Sequence, residues 1–292
     1  MASEDNPHSA YTPSKPAAIA CAIVFLALTL LQTWKIIRSR KWFGLAIVIG
    51  GLFEVLGLAA RAYNVDHPTA KTPLIMQTLL ILLAPILFAA SIYMFLGRLI
   101  RASGHPQLSP IRITWLTKIF VAGDVLCFLI QAAGAAKLVN AQTNTDANSD
   151  PKESADAQKT GQNIILAGLG LQVAVFVIFA LCAVIFHMRV SSARFRGHVD
   201  PALRLGFMLG TLYATSLLIT VRNAFRFVEY VEGQDGYLLS HEWPMYALDI
   251  VLMAVIMAIT LVWYGVDMAG AGKAEAAAYP LVYQEVGGPV VR

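Results

Sequence analysis

Residues 161–187 read GQNIILAGLGLQVAVFVIFALCAVIFH, 27 consecutive positions without an Asp, Glu, Lys or Arg. As an α-helix, at about 1.5 Å per residue, the run is about 40 Å long and exceeds the roughly 30 Å hydrocarbon core of a bilayer. Backbone polar groups find no partner in lipid, so such a segment must satisfy them internally as a helix. A membrane β-barrel would alternate apolar and polar residues over strands of about ten, and this run does not. Six more apolar runs lie at 17–37, 43–63, 73–97, 113–136, 205–231 and 244–266. The expected fold is all-α, a polytopic bundle of seven transmembrane helices.

Composition agrees. Of 292 residues, 57% are hydrophobic and 14% charged, with a mean hydropathy of +0.62. Soluble domains hold about 45–50% apolar and about 25% charged residues, so a soluble enzyme, a disordered chain and a disulfide scaffold are excluded. The net charge of +4 is spread over the connections and gives no reason to expect nucleic acid. Cys21, Cys127 and Cys182 all fall inside apolar runs, where they read as small buried hydrophobes.

Charge placement sets the expected orientation. Twelve Lys or Arg collect in the connections on one side of the bundle and five on the other. The basic side is expected to be cytoplasmic. This puts an extracellular tail at 1–16, the transmembrane domain at 17–266 and a cytoplasmic, disordered tail at 267–292. The first run is not a secretory signal: Glu4 and Asp5 precede it, whereas Lys35, Arg38, Arg40 and Lys41 follow it. The polar stretch 137–160 is expected to be a mobile outer loop. Pro85, inside the third run, leaves a backbone carbonyl without its helical partner. Gly57, Gly123, Gly168 and Gly170 are expected to let helices approach closely.

Ionisable groups within spans cost about 2.5–3.5 kcal/mol each near the bilayer centre on insertion scales, so they are expected to face the bundle interior. Glu54 and Arg61, Asp124 and Gln131, and Arg222 and Glu229 are each seven residues apart. Seven residues is nearly two turns and returns to almost the same helix face. Arg226 falls on the stripe of Arg222 and Glu229, while Asp249 on the seventh span and Gln172 on the fifth add to the set. These nine residues are expected to form a substrate site in one polar hollow, reachable by solvent near the external face. The competing reading is that the same groups only lock helices together.

Other chemistry is absent from the sequence. No phosphate-binding loop occurs, the six histidines do not converge, and the seventh span carries no lysine for a retinal Schiff base. No enzyme activity and no cofactor are expected.

The polar pattern resembles the fungal lipid-translocating exporter family, the RTA-like seven-transmembrane proteins of the aminocholesterol-resistance and sphingoid long-chain-base exporter type. The resemblance rests on Glu54-x2-Gly57-x3-Arg61, Ala84-Pro85 with Tyr93 and Arg98, Asp124-x6-Gln131-x2-Gly134, and Gly168 with Gln172. Its longest stretch is Arg222-x3-Arg226-x2-Glu229-x3-Gly233-x2-Gly236-x5-Glu242-x3-Tyr246-x2-Asp249. Leu58 stands where the family usually carries tyrosine. The resemblance implies a fungal membrane protein, commonly of the plasma membrane, with the vacuole or another endomembrane as the alternative. It also implies translocation or efflux of amphipathic lipids, with ties to porphyrin handling and toxic-compound resistance. The partners are then membrane lipids and an amphipathic small molecule, with a homo-oligomer left open. On that view Arg61, Arg222 and Arg226 meet phosphate or carboxylate, and Glu54, Asp124 and Asp249 meet an amine. The rival is a seven-helix receptor or sensor for a lipid or other amphipathic ligand. Against it, the inner end of the third span reads Gly97-Arg98-Leu99 and lacks an acidic–Arg–Tyr triplet.

Overall fold

A computed structural model describes residues 14–66, 71–143, 151–192, 204–232, 238 and 242–265. Among them every regular element is helical. Helix α1 spans Lys15–Ser39, α2 Leu45–Asp66, α3 Lys71–Ala102, α4 Ile113–Thr143, α5 Pro151–Ser191 and α6 Leu205–Glu232. The seventh, α7, covers Trp243–Tyr264. Each of the seven contains a stretch long and apolar enough to cross a membrane, and the chain is an integral membrane protein. The expected tails fall almost wholly outside the described residues.

The outer loop expected over 137–160 is corrected. Helix α4 continues to Thr143 and α5 begins at Pro151, which leaves only 144–150 outside the described residues. Polarity suggested a loop, but Ala, Lys, Glu and Gln are also good helix formers, and proline suits a first helical position. At 41 residues, α5 is about 60 Å long and must project beyond the hydrocarbon core.

The core follows from which faces are apolar and which are crowded. Phe25, Phe88, Phe95, Phe176, Phe179 and Trp263 are almost completely buried, and the Phe95 and Trp263 rings stack with centroids 3.8 Å apart. Leu30, Leu56, Leu129, Leu181, Leu217 and Val231 stand exposed on the outer surface, where lipid would cover them. The end of α1 and the turn that follows it are joined to the last turns of α7 by polar contacts. Gln32 Nε2 donates to the Met257 carbonyl and to Thr260 Oγ1 at 2.8 and 2.7 Å. Lys35 Nζ and Lys41 Nζ donate to the carbonyls of Leu261 and Tyr264 at 3.1 and 3.0 Å. Cations placed there offset the partial negative charge at a helix C-terminus.

Helices α4 and α5 make the closest backbone approach. A Cβ on Gly134 would lie 2.9 Å from both the Gly161 carbonyl oxygen and the Ile165 nitrogen. Gly57 and Gly168 are similarly crowded, by Ile81 Cγ1 and Gln131 Cγ, each 2.7 Å from where a Cβ would sit. Gly170 is not: its nearest neighbour would be Phe227 at 3.6 Å. Gly134→Ala is therefore expected to lower stability by about 1–3 kcal/mol through overpacking. Melting of the purified protein in mild detergent measures it, and an unchanged midpoint would mean that the two helices can separate without cost.

Candidate functional site

The stripes expected from seven-residue spacing are present, since both members of each pair are buried. Their partners, however, divide them into separate groups.

The first group joins α6 to α7. Arg222 Nε donates to Asp249 Oδ1 at 2.7 Å, Arg226 donates to the other oxygen of Asp249, and Arg226 Nη1 donates to Glu229 Oε2 at 2.9 Å. Asp249 sits in a single π-helical turn, Tyr246–Ile250, that interrupts α7. Such turns widen a helix by one residue and often mark functional sites. Arg222 also reaches α3, where its Nη2 lies 3.4 Å from the Ile81 carbonyl oxygen. Ile81 is four residues before Pro85, so this is the carbonyl that the proline leaves without a helical donor. Glu54 on α2 lies within Coulombic reach of Asp249, Arg222 and Arg226, and its Oε2 has no hydrogen-bond partner.

The second group lies where α1, α2 and α7 meet. Arg61 Nη2 donates to Glu242 Oε1 at 3.2 Å, and its guanidinium stands 5.8 Å from the centroid of the Tyr246 ring. Glu242 also accepts from the Ser14 backbone nitrogen at 2.9 and 3.0 Å. Its carboxylate thus draws together the entrance to α1 and the C-terminal turns of α2 at the start of α7.

The third group lies between α3, α4 and α5. Tyr93 Oη donates to Asp124 Oδ2 at 2.8 Å among the rings of Phe120, Phe176 and Phe179, and Asp124 Oδ1 has no partner. Tyr93 is twelve residues beyond Ile81 on α3, about 18 Å of helix rise nearer the basic end. Finally, Gln131 Nε2 donates to Gln172 Oε1 at 2.8 Å and leaves Gln131 Oε1 without a partner.

The expectation of one solvent-reachable hollow is therefore corrected. Glu54, Arg222, Asp124 and Asp249 are each only 1% exposed, so water does not line a cavity around them. Asp124, Gln131 and Gln172 do not join the arginines. Packing prevails because a guanidinium in low dielectric draws carboxylates into contact unless another group intervenes. Leu58 is fully buried in the apolar core.

Two participants were passed over as site residues. Glu242 occupies the residue before a Trp-Pro helix start, where a carboxylate suits the positive end of the helix. Tyr93 carries a hydroxyl inside a long apolar span, and a buried hydroxyl signals a partner.

The family model for RTA1 like protein matches residues 47–270, more than half of the chain. The chain belongs to this family. Among curated proteins of Saccharomyces cerevisiae, it is 31% identical to Protein RTM1, over 87% of this chain and 91% of that protein. It is 29% identical to Protoporphyrin uptake protein 1, over 85% of this chain and 88% of that protein. With the Sphingoid long-chain base transporter RSB1 it shares 24% identity, over 93% of this chain and 76% of that protein. No solved structure matches. The RTA1-like match runs from the first turn of α2 through α7, and so contains every side chain of the four polar groups described above, while Ser14, which contributes only its backbone nitrogen, lies before it.

Proposed function

We propose that this RTA1-like protein moves an amphipathic lipid bearing an amine, such as a sphingoid long-chain base, between membrane leaflets without hydrolysing ATP itself. The carrying observation is the surplus carboxylate. Around the α6–α7 contact, Arg222 and Arg226 face Asp249, Glu229 and Glu54, two guanidiniums against three carboxylic groups. Glu54 Oε2 is the acceptor left over. An unsatisfied buried acceptor costs about 1–3 kcal/mol, and more if charged. A proton or a cationic headgroup offsets that cost, and a headgroup that arrives and leaves is what transport requires.

Glu54 Oε2, Asp124 Oδ1 and Gln131 Oε1 are all unpartnered acceptors inside spans. The amine and hydroxyls of a sphingoid headgroup could meet them at successive depths. Relatives named for sphingoid-base transport and for protoporphyrin uptake favour an amphiphilic cargo. The external N-terminus and the plasma membrane belong to the same reading, and rest on the distribution of Lys and Arg and on the family resemblance. Under it, all nine residues expected at the site act on substrate directly or by holding Glu54 and Asp124 in place.

The test is reconstitution. Purified protein in liposomes should speed the movement of a fluorescent sphingoid base from one leaflet to the other, read by chemical quenching of the outer leaflet. Rates equal to those of protein-free liposomes would defeat the proposal and favour a receptor, which binds its ligand without moving it.

A further inference from the structure

At the basic end of the bundle, lined by no residue of the four polar groups, lies a cavity of about 330 Å³ between the turn that leads into α2, the last turns of α3 and the first turns of α4. Its walls include Trp42, Phe43, Gly97, Arg98, Arg101 and Thr117. Arg98 and Arg101 are three residues apart and so project from neighbouring positions on one face of α3. Both are exposed, and among the described residues neither forms an ion pair. The Arg98 guanidinium is held 4.7 Å from the centroid of the Phe43 ring, an arrangement that leaves its N–H groups available at the edge. The stretches that build the walls, 42–53 and 94–123, contain four Lys or Arg and no Asp or Glu. No carboxylate of this wall can neutralise the two arginines.

We propose that this cavity binds the headgroup of an anionic phospholipid, phosphatidylserine being the simplest, from the leaflet that the basic end faces. Charge complementarity selects the occupant. Paired guanidiniums recognise phosphate and carboxylate oxygens through charge-assisted hydrogen bonds, and basic pockets between spans are a known setting for acidic lipids. Position supports a lipid source. Trp42 is 66% exposed and Trp115, at the start of α4, 58% exposed. Exposed tryptophans at span ends mark the interface between headgroups and acyl chains. Leu45, the first residue of α2, is also exposed, so acyl chains could lie along the outer surface while the headgroup enters. The volume falls at the lower end of the roughly 300–1,000 Å³ of small-ligand sites, suited to a headgroup without its tails. This inference does not depend on the transport reading.

Native mass spectrometry of the detergent-purified full chain, incubated with equal amounts of dioleoyl phosphatidylserine and dioleoyl phosphatidylcholine, tests it. The unaltered protein is expected to retain one phosphatidylserine in preference to phosphatidylcholine. The R98Q/R101Q variant should lose that preference by about 30-fold, as removal of two lipid-facing cations implies. Arg38→Gln, which lies outside the cavity, should keep it. Gly97→Leu fills the cavity with both charges intact and should lose it too. The nearest atoms to a Cβ there are Ile113 Cγ2 at 3.5 Å and Thr117 Oγ1 at 3.7 Å, so folding should tolerate the change. A preference that survives in Gly97→Leu, or that falls equally in Arg38→Gln, would overturn the assignment. Displacement of the lipid by equimolar glycerophosphoserine would overturn the lipid source and leave a soluble phosphoester as the ligand.

Discussion

Replacing Asp249 with asparagine should destabilise the bundle by about 3–5 kcal/mol, the usual cost of leaving a buried charge without its counter-ion. Asp249 accepts from both Arg222 and Arg226. Arg226 would keep Glu229. Arg222 would lose its carboxylate contact and keep neutral acceptors: the replacement's amide oxygen, and the more distant Asn223 side-chain oxygen and Ile81 carbonyl, each 3.4 Å away. The Glu54 carboxyl would remain within its Coulombic reach. The amide is nearly the same size, so the loss is electrostatic and owes little to packing. With total stabilities near 5–15 kcal/mol, the variant should unfold at much lower denaturant in mild detergent and accumulate poorly in cells. The double variant Arg222→Met with Asp249→Leu should recover part of the loss, because apolar replacements of similar volume avoid the unpaired charge. If single and double variants prove equally unstable, the ion pair is not what holds α6 to α7.

Glu54→Gln should behave in the opposite way, with stability nearly unchanged and transport reduced about 10- to 100-fold. The carboxylate has an oxygen without a partner, so the amide removes no contact made by Oε2. What disappears is the negative charge that a carboxylate can offer an incoming cation, since an amide oxygen accepts only as a neutral group. A hydrogen bond to a charged group is worth about 1.5–3 kcal/mol, and each 1.4 kcal/mol on a barrier is tenfold in rate. The liposome assay with fluorescent sphingoid base reads the effect, and a melting curve of the same preparation shows whether folding is intact. A melting curve and a rate that both match the unaltered protein would remove Glu54 from the transport path.

The number of spans and their type were legible because lipid leaves the backbone one solution per segment and the apolar runs are long. Burial of the ionisable stripes was legible for the same reason, since a charge in hydrocarbon has nowhere else to turn. Helix ends beyond the bilayer were not: in 137–143 and 151–160, polarity and helix propensity point in different directions. Pairing was harder still. Arg61 shares a stripe with Glu54, yet it meets Glu242, 181 positions later in the chain. Asp124 meets a tyrosine from α3 in place of an arginine from α6. Spacing along one helix fixes which face a residue occupies, whereas the neighbour across that face depends on the angles and offsets at which helices pack. The interhelical pairs that were both named and found in contact, Gln131 with Gln172 and Asp249 with Arg222 and Arg226, join helices adjacent in sequence.

The proline of α3 has a mechanical corollary. Its bare Ile81 oxygen is covered by a guanidinium that belongs to α6. Were α6 to roll or slide alone, that oxygen would be turned toward hydrocarbon with no donor in reach, a penalty neither helix can relieve by itself. The third and sixth helices are thus geared: a shift that carries Arg222 must carry the N-terminal half of α3 with it, so any alternation of the bundle would proceed through this pair as one moving part.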